Sequence, residues 1–156
     1  MPTESLAGRQ VSRLASGRSG PCERLRSVTA APRALEWARL AAAGAADKLA
    51  TDIVAMDVSE TIGITDIFIV CSAASDRQVR AVVDGVEARL DEIDIDPLRR
   101  EGEREGRWVL LDYGDIVVHV QHVEEREFYQ LPRLWRDCPQ IDLQLPEPSV
   151  QETESA

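Results

Sequence analysis

Two histidines, three cysteines and one Asp-Ile-Asp triplet are the residues of this 156-residue chain best suited by type to do chemistry. His119 and His122 lie three apart in a run, DIVVHVQH, that alternates like a β-strand. Their rings then point to opposite faces and cannot share a metal ion. Cys22, Cys71 and Cys138 are far apart and form no CxxC pair. That argues against a zinc knuckle or a disulfide framework and fits a reducing compartment, with Cys71, inside IFIVC, read as a small buried hydrophobe. Asp94-Ile-Asp96 has the form of the carboxylate pair that holds Mg²⁺ in nucleotidyl transfer, but it stands at a helix end before Pro97 and no Gly-Ser phosphate-binding element accompanies it. GxSxG, HExxH, the Walker lysine motif and GxGxxG do not occur. The sequence predicts no catalytic residue, no metal and no cofactor.

What remains is binding. Trp108–Asp112 and Asp115–His122 read as two strands joined by Tyr113-Gly114 as a tight turn, which pairs Asp112 with Asp115, Leu110 with Val117, and Trp108 with His119. Alternation then separates two faces. Val109, Leu111, Ile116, Val118 and Val120 form an aliphatic core face. The other carries Trp108, Leu110, Asp112, Asp115, Val117, His119 and Gln121. Two readings of this second face are open. A mixture of indole, aliphatic and acidic groups suits an interface, with Trp108 as anchor and the acids selecting a basic partner. Alternatively a helix covers the face and Trp108 belongs to the core.

The elements that would position this hairpin follow from periodicity. Pro32–Lys48 reads as a helix, with Pro32 in its first turn and Leu35, Ala38, Ala42, Ala45, Ala46 and Leu49 on one face. Ile53–Val58 and Ile67–Cys71 read as an antiparallel pair of strands joined by the polar SETIGITD link. Ser75 and Gln78 form a capping box ahead of a stripe of Val79, Val82, Val83, Val86, Leu90 and Ile93, which predicts a helix over Ser75–Asp94, barred from continuing by Pro97. Glu101–Arg107 reads as a charged loop or frayed strand. Glu124–Trp135 reads as a short helix with Phe128, Leu131 and Trp135 on one side and Pro132 breaking or offsetting it. The order predicts an α/β (α+β) fold: a single mixed sheet packed by helices.

Composition sets the outer limits. Apolar residues at 44% and charged residues at 29% describe an ordinary globular domain. No apolar run approaches the roughly 18 residues that span a bilayer, which speaks against a membrane protein. Residues 1–31, rich in Arg, Ser, Gly and Ala, are expected to be a disordered extension, with residues 32–138 the folded domain and 139–156 a loose acidic tail. The extension lacks the apolar stretch of a secretory signal. It fits either an organellar transit peptide or sequence upstream of a start near Val28, and the second reading is preferred. Residues 1–32 hold five basic and two acidic groups, against 13 and 26 in residues 33–156. So acidic a folded part is repelled by bare nucleic acid and steered to basic partners, unless its charge serves solubility alone. Arginine outnumbers lysine 17 to one, which suggests a high-GC bacterium.

The run WVLLDYGDIVVHV (108–120) followed by FYQLPRLW (128–135) resembles the signature of the ribosomal silencing factor family, also called the Iojap family. AADKLATDIVAMDVS (45–59), ITDIFIVCSAAS (64–75) and REGEREGRW (100–108) resemble the family in the same order, so the likeness spans roughly residues 33–139. It implies a fold like that of nucleotidyltransferases with the catalytic elements lost. It further implies a cytoplasmic homodimer that binds the fourteenth protein of the large ribosomal subunit, blocks joining of the small subunit and damps translation when nutrients are short. Organellar relatives assist large-subunit assembly. The family's partner-facing positions map onto Glu101, Trp108, Asp112, Tyr113 and Asp115, to which the hairpin face adds Leu110 and His119. Pro132, in place of a usually charged residue, and the first 27 or so residues depart from the family pattern.

Overall fold

The computed structural model describes residues 28–145. Nine elements follow in order: α1 (Pro32–Asp47), β1 (Thr51–Asp57), β2 (Ile67–Ala73), α2 (Asp76–Asp91), β3 (Arg99–Glu101), β4 (Trp108–Asp112), β5 (Ile116–His122), α3 (Val123–Tyr129) and α4 (Leu131–Leu134). The strands make one five-stranded sheet in the order β1-β2-β5-β4-β3. β2 and β5 run parallel and every other neighbouring pair is antiparallel, so the sheet is mixed, as the alternation of elements predicts. No helix among the described residues is long and apolar enough to cross a membrane.

α1 and α2 lie side by side over one face of the sheet. The buried residues of α1 are Ala34, Ala38, Ala41, Ala42, Gly44 and Ala45, a narrower and smaller-sided stripe than the expected one; Leu35 is only partly buried and Leu49 is exposed. The reason is the closeness of α2. A Cβ built on Gly44 would stand 2.2 Å from the carbonyl oxygen of Gly85, and one on Gly85 would stand 2.5 Å from that of Gly44. The two backbones touch, and only residues of alanine size or less fit the seam. Below them the aliphatic face of the sheet, Ile67, Ile69, Val109, Leu111, Ile116, Val118 and Val120, closes the core.

Local chemistry sets the ends of α2. Ser75 Oγ accepts the Gln78 N–H at 3.1 Å, while Gln78 Oε1 accepts the Ala74 N–H at 2.7 Å, one residue earlier than a standard capping box. Gln78 Nε2 also donates to the Lys48 and Leu49 carbonyls and so ties α2 to the end of α1. The helix stops at Asp91, short of the expected Asp94, because Asp94 adopts φ 61° and the Ile95 N–H returns to the Leu90 carbonyl at 3.0 Å. A left-handed Asp closes the helix before Pro97 can act.

Two expected boundaries move. Residues 29–31 are held by carboxylates: Asp57 Oδ2 accepts the Thr29 and Ala30 N–H groups, and Asp66 Oδ2 accepts that of Ala31 at 2.9 Å. The ordered chain therefore begins before Pro32. Residues 139–141 dock along β1, with Asp57 N–H donating to the Pro139 carbonyl and Ile141 N–H to that of Ala55, and residues 142–145 continue against α1, where Arg39 Nε donates to the Asp142 carbonyl at 3.0 Å. Ile141 and Leu143 are buried there, so this stretch is part of the fold, its first residues occupying the free edge of β1. The expectations for residues 1–27 and 146–156 lie outside the described residues.

The helix expected over Glu124–Trp135 is two pieces. Gln130, at φ 48°, separates them, and Pro132 falls in the first turn of α4, where its missing N–H costs nothing. Leu131 turns inward and Trp135 is half-buried, whereas Phe128 is 78% exposed and does not share their side.

Candidate functional site

The hairpin register decides which side chains meet. Asp112 pairs with Val117, Leu110 with His119 and Trp108 with Gln121. The turn is therefore one residue later than expected: Tyr113 N–H donates to the Ile116 carbonyl at 2.9 Å, and Gly114-Asp115 are the two loop residues. Gly114 has φ +90° at the first loop position, where a Gly-X hairpin places its glycine. The slip moves the partner of each residue by two, so strand residues keep their faces. It changes the fate of the loop residues.

Tyr113, just past the end of β4, falls in line with Val109 and Leu111 on the core face, where it is 4% exposed. Its phenol is held neutral, its pKa raised first by burial and then by Glu87. A partner cannot reach it in this conformation, which corrects its expected placement on the surface of the hairpin. Asp115 is drawn the other way: Arg33, in the first turn of α1, binds its carboxylate at 2.7 Å. The Asp115 carbonyl also accepts the N–H groups of Asp66 and Ile67. Its side chain, 29% exposed, is engaged by Arg33.

On the opposite face the sheet presents cross-strand rows. One runs Glu101, Leu110, His119, Val70, Val54; the next runs Arg99, Asp112, Val117, Phe68, Met56; and Trp108 stands beside Gln121 and Ser72. This face is covered over one half and open over the other. Over β1 and β2 it is covered by the chain of α4 and the residues after it, in a cluster of Met56, Val58, Val70, Leu131 and Cys138 edged by Phe68 and Trp135. His119 lies under this cover, 6% exposed, with burial lowering its pKa to about 4. It too is removed from the accessible surface. Toward β4 and β3 the cover ends. Trp108 and Leu110 are half-buried, and the Asp112, Glu101 and Arg99 side chains are progressively more exposed at 23%, 58% and 64%. Arg99 bridges Asp112 at 3.3 Å and Glu101 at 3.5 Å, one cation between two carboxylates, so the three side chains together carry one negative charge.

The apolar part of the patch is larger than the hairpin. Trp108 meets Tyr129 at 4.8 Å between ring centroids, and Tyr129 meets Phe128 edge-on at the same distance. Phe128, Tyr129 and Leu134 are exposed by 78%, 47% and 68%. These α3–α4 residues escaped the sequence reading because a continuous helix would have turned Phe128 toward Leu131 and the core. The turn at Gln130 is what frees them. The signal available was Pro132 three residues after Tyr129, which marked a break without showing which side chains it exposes.

Three aromatics and two aliphatics beside Glu101 and Asp112 make a surface of the composition that protein interfaces use. The two histidines work separately. His122 Nδ1 accepts the Glu124 N–H and caps α3, and His119 Nδ1 accepts the Trp108 indole N–H at 3.3 Å.

A family model described as ribosomal silencing factor during starvation matches residues 31–156. The chain belongs to the ribosomal silencing factor family. Among its relatives is the ribosomal silencing factor RsfS of Bacillus subtilis, 44% identical over 105 residues, which cover 67% of this chain and 89% of the relative. A mouse protein named mitochondrial assembly of ribosomal large subunit protein 1 is 32% identical over 89 residues, 55% of this chain and 39% of that one. A crystal structure of a Chromobacterium violaceum protein is similar with TM-score 0.63 and 34% identity, over 74% of this chain and 92% of that one. The hairpin and the FYQLPRLW segment are the parts of this chain that build the aromatic patch.

Proposed function

We propose that this family member is a ribosomal silencing factor that binds the large ribosomal subunit through its fourteenth protein and blocks joining of the small subunit by occupying that surface. The contact is the open half of the sheet: Trp108 and Leu110 as apolar anchors, Glu101 and Asp112 selecting a basic protein, and Tyr129 and Phe128 extending the patch. The observation that supports this is the half-buried indole of Trp108, placed between exposed aromatics and the group of Glu101, Arg99 and Asp112 on the half of the face that the fold leaves open. Inhibition by occupancy needs rigid, complementary surface and no reaction, and the chain acts in this reading as a cytoplasmic homodimer without cofactor. The folded part's acidity favours the basic protein component of a ribosome over its RNA.

Sedimentation of purified large and small subunits with the protein added tests this. The protein should travel with large subunits and keep small subunits from joining; travelling with neither sinks the reading. A second reading, assistance to large-subunit assembly, is favoured by the mouse relative's name. It predicts binding to immature particles and loss of mature large subunits when the protein is depleted during growth.

A further inference from the structure

We infer that His119 is a positioning residue for Trp108: its neutral ring, with the single proton on Nε2, accepts the indole N–H through Nδ1 and holds the indole in the orientation that meets the partner. This rests on Trp108 being the anchor of the proposed contact. The tautomer follows from elementary chemistry. An indole nitrogen only donates, so the ring nitrogen facing it, Nδ1 at 3.3 Å, must present a lone pair. His119 is 6% exposed, and burial disfavours its charged form. One proton then remains for the ring, and only Nε2 is free to carry it.

Nε2 has no hydrogen-bond partner. A histidine serving stability alone would be expected to satisfy both nitrogens when this deeply buried, since an unmet buried polar group is costly. Here the one bond made is directed at the surface residue. The imidazole is in turn held by packing: Phe68 lies at 4.9 Å and 65° to it, and Trp135 at 4.9 Å and 74° to Phe68. Trp108 is braced from its other side by Tyr129 at 4.8 Å. A half-exposed indole without the acceptor can turn its N–H to water and sample other rotamers. Fixing it beforehand removes that ordering cost from binding.

The test uses the full chain with Trp108→Ala, His119→Phe and His119→Asn, titrated against purified bacterial large ribosomal subunits by sedimentation. His119→Phe keeps an aromatic ring there, one atom larger, but removes the acceptor; His119→Asn restores an acceptor oxygen. We expect His119→Phe to bind about tenfold more weakly, as disordering an anchor should do, with a melting temperature equal to or above that of wild type. His119→Asn should recover most of the affinity. In nitrogen-15 spectra the His119 proton should sit on Nε2, and the Trp108 indole N–H should exchange faster in His119→Phe. Wild-type affinity in His119→Phe while Trp108→Ala is weakened, or a proton found on Nδ1, overturns the inference and leaves the contact standing. Wild-type affinity in Trp108→Ala removes the anchor itself, and the inference with it.

Discussion

The two faces of the sheet are built on opposite terms. The face under α1 and α2 is aliphatic but for Tyr113, whose one buried hydroxyl has no partner, and it is covered and closed by backbone contact at Gly44 and Gly85. The other face, on the same strands, holds His119, Gln121, Trp108 and Asp112, is covered over only half its width, and leaves three buried nitrogen and oxygen atoms of His119 and Gln121 without partners. Alternation delivers both faces from the same residues in the same register. The first face is where the chain gains stability, and the second tolerates polar burial that stability alone does not favour. The difference separates a packed scaffold from a half-open polar face.

The sharpest way to break the comparison is at the helix seam. Gly44→Ala places a methyl 2.2 Å from a carbonyl oxygen and must push α2 away from the alanine stripe. A loss of more than about 3 kcal/mol in urea denaturation is expected, as severe overpacking gives. Phe128→Ser on the other face should change stability by no more than about 0.5 kcal/mol. Equal effects would remove the distinction between the faces.

Acid should act on the polar face first. The His119 pKa is about 4 in the fold, below the ordinary 6.5 that it regains on unfolding. Between those values the unfolded chain binds more protons, so stability is present above pH 6.5 and is lost as pH falls toward 4. The expected loss across that window is up to about 3 kcal/mol, in excess of whatever His119→Phe loses over the same range. Parallel pH profiles for the two proteins would show that the buried imidazole does not contribute.

Trp108→Ala sharpens the comparison from the functional side. It should cost about 2 kcal/mol of binding to large subunits, the scale of an interface anchor, while circular dichroism shows the sheet intact. The smallest effect is expected at Gln121, fully buried with both amide atoms unpartnered. Gln121→Leu should stabilise the protein by about 1 kcal/mol, because it removes polar atoms that gain nothing from burial. A destabilised Gln121→Leu would mean the amide holds the face together.

How far these features were legible varies residue by residue. α2 was readable to within a few positions, because Ser75 and five regularly spaced aliphatics act within one helix. Its end was missed because Pro97 looked like the stop, while the left-handed turn at Asp94 depends on backbone closure that composition does not advertise. The hairpin was found and its turn misplaced by one residue, since Tyr-Gly and Gly-Asp are adjacent candidates for a two-residue loop and glycine serves both. That single residue sent Tyr113 to the core and left Asp115 to Arg33, which is 82 positions away in sequence. Residues 139–145 looked like tail because 139–141 pair with backbone groups of β1 and 142–145 rest on distant α1, and neither leaves a local sequence signal.

By itself the sequence determined the mixed sheet, the family, and which strand residues share a face, because side-chain alternation and helical period are local properties of the chain. Only the tertiary structure decided that half of one face is covered and half open, that His119 lies beneath Trp108 rather than beside a partner, and that Phe128 and Tyr129 join the patch. Cover is a property of what packs from elsewhere in the chain, and alternation contains no information about it.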